Sequence, residues 1–119
     1  MEKQNKMKYY HNNRCRKSRE GLEFLATKNL NPAIYEYMKI PLTKEELLNM
    51  LGKLKLKAVD LLRKNETIYK ENLKGKDLTE NQILDWMIKE PKLIERPILI
   101  NGEKAVIGRP KEKFLKIID

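Results

Sequence analysis

The chain has 119 residues, 40% hydrophobic and 36% charged, which suits one domain with its own core and no disulfide staples. No apolar run reaches transmembrane length, the opening MEKQNKMK is too polar for a secretory signal, and one cysteine cannot form an internal disulfide. A reducing, cytoplasmic setting without membrane attachment is therefore expected.

The net charge of +9 is uneven, because residues 1–19 hold seven Lys or Arg against one acid, Glu2. Such a balance raises nucleic acid as a partner. However, stacking aromatics between the basic residues are scarce, and no zinc-finger or RNA-recognition signature occurs. The concentration of charge around one thiol favours a small anion instead.

Residues 1–6 read as a flexible lead-in, and MKYYHN (7–12) as a first strand. Cys15, Ser18, Leu22 and Leu25 recur at spacings of three and four, the period of a helix. Asn12 or Asn13 is positioned to cap that helix and Lys28-Asn29 to end it. NPAIYEYM (31–38) reads as a second strand. Thr43 with Glu46 forms a capping box ahead of Leu47, Leu48 and Leu51. A short helix is expected over KAVDLLRKN (57–65), then a turn-rich ETIYKENLKGKD with one helical turn. Thr79 with Gln82 forms a second capping box, opening a helix through Trp86 and Met87 to Glu90 that Pro91 stops. The runs ILI and AVI flank Asn101-Gly102, a strong hairpin signal. PKEKFLKIID closes the chain as a helix with Pro110 in its first turn. The order β-α-β, helices, β-β-α describes an α/β fold: a thioredoxin-like mixed sheet in a single domain over 7–119, with a helical insertion at about 41–92.

Cys15 follows the first strand and opens the first helix. Backbone N–H groups and the helix dipole favour negative charge there, drawing a thiol toward pKa values of ~3.5–7.5. Ser18 is spaced to point its hydroxyl at the sulfur, and His11 can add a further proton partner. Arg14, Arg16, Lys17 and Arg19 surround the thiol in sequence. At helical spacing they cannot all face it; Arg19, one turn on, is best placed, and the run also fits a solvated basic face. A C-x5-R phosphate loop is excluded, because only three residues separate Cys15 from Arg19. In the C-x-x-S arrangement of Cys15 to Ser18 there is no resolving cysteine, so any redox cycle must take its later thiols from outside. No metal and no bound cofactor are expected.

YHNNRCRKSREGLEFL (10–25) resembles the active-site segment of the glutaredoxin-coupled arsenate reductase family, close to YHNP-x-C-x-x-SR. LLRKN (61–65), ERPI (95–98) and GRP (108–110) resemble that family's three arginine motifs, in order. The resemblance implies Cys15 as the nucleophile that attacks arsenic, with His11 and Ser18 helping to hold it as a thiolate. It implies Arg63, Arg96 and Arg109 as oxyanion-binding residues; Arg19 and Arg16 are secondary candidates from their position beside Cys15, not from the resemblance. Pro97 matches the cis-proline beside the active site of thioredoxin-like folds, with a strand expected directly after it. The implied reaction takes arsenate to arsenite, with glutathione as co-substrate and glutaredoxin as partner. Two positions depart from the family pattern: Asn13 replaces a proline, and Arg16 a small residue. Rival readings are an Spx-type redox or transcription regulator docking on RNA polymerase, a family member without arsenate activity, and a glutathione-binding protein of other substrate.

Overall fold

Four strands carry the sheet in the computed structural model, which describes residues 7–118; the lead-in expected at residues 1–6 lies outside the described residues. The strands are β1 (Met7–Tyr10), β2 (Ala33–Tyr35), β3 (Ile98–Asn101) and β4 (Lys104–Ile107), in spatial order β2-β1-β3-β4. β1 pairs parallel with β2 across the crossover helix α1 (Arg16–Thr27), and antiparallel with β3, which pairs antiparallel with β4. This mixed α/β sheet is thioredoxin-like, as the order of apolar runs in the sequence predicts.

The chain divides into two compact units, one formed by residues up to 40 together with those from 96 onward, the other by 41–95. In the first unit the register sets Tyr9 opposite Leu99, and Leu99 opposite Val106. Directly opposed residues share a sheet face. That row packs with Leu25 of α1 and Phe114 of the C-terminal segment into a buried cluster. Tyr9, Leu25, Leu99 and Phe114 are fully buried.

Several elements differ from the sequence expectation for local reasons. The second strand ends at Tyr35, because the Glu36 carbonyl accepts from Lys39 and Ile40 N–H and turns the chain. The N-cap of α1 is Cys15, with extended backbone, not Asn12 or Asn13. Asn12 instead turns its Oδ1 onto Arg14 N–H at 3.1 Å, the local turn that Asn side chains favour. The hairpin loop is Gly102-Glu103, one residue later than Asn101-Gly102, since Asn101 still pairs with Lys104. Gly102 supplies φ +65° at the first loop position, a conformation that costs glycine little. The C-terminal helix is a 3₁₀ helix, Lys111–Lys116, with Pro110 as its N-cap.

The second unit holds α2 (Lys44–Leu54), α3 (Thr67–Asn72) and α4 (Glu80–Lys89). Both expected capping boxes are formed: Thr43 with Glu46, and Thr79 with Gln82. The helix expected over 57–65 shrinks to a 3₁₀ turn, Ala58–Leu61. Leu62 then bridges Ile94, and Arg63 N–H donates to the Leu93 carbonyl at 2.7 Å, drawing the backbone into an extended course. Leu47, Met50, Leu61, Leu84, Met87 and Leu93 are fully buried or nearly so.

Candidate active site: a thiol at the start of α1

Cys15 lies where β1 hands over to α1. Its N–H donates to the Asn12 carbonyl at 2.9 Å, and its carbonyl receives Arg19 N–H, the first helical bond. The side chain is therefore held over the free N–H groups of the first turn, where four donors lack intrahelical acceptors. Partial burial pushes the Cys15 thiol up. That is outweighed by a hydrogen bond and positive charge from Arg96 and by backbone N–H groups of Ser18 and Lys17, and the net shift is downward. Arg109 adds Nη2 at 3.5 Å from Sγ. All these groups belong to the first unit.

The cations that reach the sulfur thus come from the two ends of the β3–β4 hairpin, not from the basic run around Cys15. Arg16 pairs with Glu20 at 3.0 Å and Lys17 with the same carboxylate at 3.8 Å, both i,i+3 or i,i+4 pairs along an exposed helix face. Arg19, expected to be best placed, spends its Nη1 on the Asn13 carbonyl at 2.9 Å and is exposed. Arg14 is exposed as well.

Ser18 is fully buried, but its hydroxyl serves His11 and the backbone: Oγ lies 2.7 Å from His11 Nδ1 and accepts Asn12 N–H at 3.1 Å. What Ser18 gives the sulfur is its N–H. His11 is also buried. Burial lowers its pKa; Glu36 opposes this and Arg19 adds to it, so at neutral pH the imidazole is uncharged. Pairing with Ser18 makes the histidine a clamp on the first turn of α1. Tyr9, which sequence reasoning did not single out, completes that clamp. Its hydroxyl donates to the Ser18 carbonyl at 2.6 Å, and burial holds its pKa far up. The only sequence signal was its place at an inward position of a strand.

Pro97 is buried and the Arg96–Pro97 peptide is cis, with β3 beginning at the next residue. The Arg109–Pro110 peptide is cis too. Two bonds tie the arginine-bearing segments together: Gly108 N–H to the Pro97 carbonyl at 2.8 Å, and Arg109 Nε to the Arg96 carbonyl at 2.5 Å. Gly108 leaves no room for a side chain, since a Cβ there would collide with the Phe114 ring. Arg63 belongs to the second unit, where it is mostly buried and pairs with Glu66 at 3.3 Å and Glu95 at 3.4 Å. Among the described residues no three His, Cys, Asp or Glu converge as metal ligands, and no helix is long and apolar enough to cross a membrane.

A thioredoxin-like sheet presenting one thiol at a helix start, its pKa drawn down beside two guanidinium groups, is the architecture of a thiol-dependent oxidoreductase. The model of the ArsC family matches residues 10–117, and the chain belongs to this family of enzymes. It is 40% identical over 111 residues to the arsenate reductase of Haemophilus influenzae, covering 92% of this chain and 96% of that one. Identity to an arsenate reductase of Escherichia coli is 34% over 110 residues, covering 92% and 78%. Among solved structures, the arsenate reductase from Vibrio cholerae matches with a TM-score of 0.90 at 36% identity, covering 94% of this chain and 97% of that one.

Proposed function

We propose that the chain reduces arsenate to arsenite through the Cys15 thiolate, with electrons from glutathione and glutaredoxin in the reducing cytoplasm. One observation carries the reading: a single sulfur, its pKa depressed, held by helix N–H groups and by Arg96 and Arg109. A thiolate approaching an arsenate dianion is repelled, and fixed cations beside the sulfur offset that repulsion as charge develops. Guanidinium forks also bond paired oxygens of a tetrahedral anion better than an ammonium does.

Cys15 attacks arsenic and displaces one oxygen as water, giving a sulfur–arsenic adduct. A glutathione thiol attacks next and displaces a second oxygen as water. Attack by the glutaredoxin thiol on the glutathione sulfur leaves both electrons of that arsenic–sulfur bond on arsenic and joins the two external thiols as a mixed disulfide; water then hydrolyses the remaining Cys15–arsenic bond, releasing arsenite and the Cys15 thiol. The balance is arsenate plus two thiols to arsenite, one disulfide and water. It needs no second cysteine in this chain, and none exists. His11 and Ser18 hold the first turn that presents the N–H groups. For Arg63 the support is the motif match in LLRKN; its ion pairs with Glu66 and Glu95 are those of a fixed side chain.

A coupled assay with arsenate, glutathione and glutaredoxin tests this directly. Wild-type protein turns over and Cys15→Ser does not. Equal rates for the two would dispose of the reading.

A further inference from the structure

Inside α1 a buried position is occupied by Gly21, where alanine would favour the helix more. The reason is steric. A Cβ there would collide with the Tyr9 hydroxyl, crowd Phe114 Cε2 at 3.0 Å and press on Pro97 Cγ at 3.3 Å. Gly21 thus leaves open the slot through which the Tyr9 hydroxyl reaches the Ser18 carbonyl, 2.6 Å away and one turn nearer the sulfur. Tyr9 is fully buried, and this bond gives its hydroxyl the partner that burial demands. Burial raises the phenol pKa more than the Ser18 bond lowers it, and charge at Cys15 raises it further, so the hydroxyl remains a donor.

Ser18 is therefore held at several points from the end of β1. Tyr9 and His11, two residues apart, both reach it, Tyr9 at the carbonyl and His11 at the hydroxyl, which also accepts Asn12 N–H. The remaining polar group of Ser18, its N–H, bonds the Cys15 sulfur. A donor anchored in this way keeps its aim, whereas an untethered first turn frays.

We propose that Tyr9 is a positioning residue for the thiol chemistry: its hydroxyl, admitted by Gly21, locks the first turn of α1 so that the Ser18 N–H stays on the Cys15 sulfur. The proposal rests on the reading above that Cys15 reacts as a thiolate, and adds a residue that touches neither sulfur nor substrate. Tyr9→Phe keeps the ring and its edge contact with Phe114 but drops the one group that anchors the carbonyl. Arg96 and Arg109, the cations that face the sulfur, and the buried His11 are left unaltered by that change.

Alkylation of Cys15 by iodoacetamide against pH tests the lock without arsenate. In Tyr9→Phe the midpoint should rise by about half a pH unit, a fraction of what a full donor to a charged group supplies. The plateau rate at high pH should stay within about twofold, since nucleophilicity changes little with so small a shift. Gly21→Ala pushes the hydroxyl off the Ser18 carbonyl and should raise the midpoint too. The double variant should show no more than the larger single shift, because both changes break one bond. Leu25→Val loosens the same buried cluster away from Ser18 and should keep the wild-type midpoint. A wild-type midpoint in Tyr9→Phe, additive shifts in the double variant, or an equal shift in Leu25→Val would each overturn the lock. Tyr9→Phe and Leu25→Val decide the matter alone if Gly21→Ala does not fold. If arsenate turnover fails while this pattern holds, the substrate reading falls and the positioning role stands.

Discussion

Arg96 and Cys15 form the pair on which the chemistry turns. Replacing Arg96 by Gln removes charge and most of the donor fork while keeping a polar side chain. The alkylation midpoint of Cys15 should move to higher pH, and kcat/KM for arsenate should fall about a hundredfold, typical for one lost transition-state donor. Unchanged values would remove Arg96 from the site. Ser18→Ala acts differently. It strips His11 Nδ1 and Asn12 N–H of a shared buried partner, so a stability loss of about 1–3 kcal/mol is expected in urea titration. At this scale, sequence reading went astray in an instructive way. HNNRCRKSRE crowds four cations around Cys15 along the chain, but helical geometry and Glu20 turn Arg16 and Lys17 outward, and a carbonyl claims Arg19. The arginines beside the sulfur were found through the ERPI and GRP motifs, since no local period connects residue 15 to residues 96 and 109.

Elements set by neighbouring residues were the legible ones. Each capping box needs only a Thr and an acceptor three residues on, so α2 and α4 could be read where they start. Thr43→Ala and Thr79→Ala should each cost about 1 kcal/mol in equilibrium unfolding, and a change near zero would show the box to be ornamental. KAVDLLRKN was misread because its second half answers to a distant partner: Leu62 bridges Ile94 across the unit, which no window around residue 62 contains. The C-terminal segment has the same lesson. Its apolar spacing suggests a helix, yet the segment forms 3₁₀, with the Phe114 ring seated where a Cβ at Gly108 would lie. Gly108→Ala should therefore cost about 1–3 kcal/mol, as overpacked positions do. It should also slow arsenate turnover, since Arg109 is the next residue.

Across the whole molecule, two groups couple folding to pH with the same sign. His11 has a lowered pKa, so below about 6.5 the unfolded chain binds a proton that the folded one resists. Its contribution is present above that pH and is lost as pH falls through the folded value. Cys15 is also lowered: its contribution is complete above the unfolded thiol range, about 8.5, and declines as pH falls through the folded pKa. Stability should thus fall steadily on acidification, and the part of the loss below about pH 6.5 should shrink in His11→Asn. A pH-stability curve identical to wild type would show that His11 is not buried neutral.

The central claim is that the fold ionises one sulfur. The chain contains a single cysteine, so the rate of its alkylation by iodoacetamide against pH reports that atom alone. Measured on native protein and again in urea, the native midpoint should lie clearly below the unfolded one, with substantial reaction at pH 7. A native midpoint equal to or above the unfolded value would contradict the account.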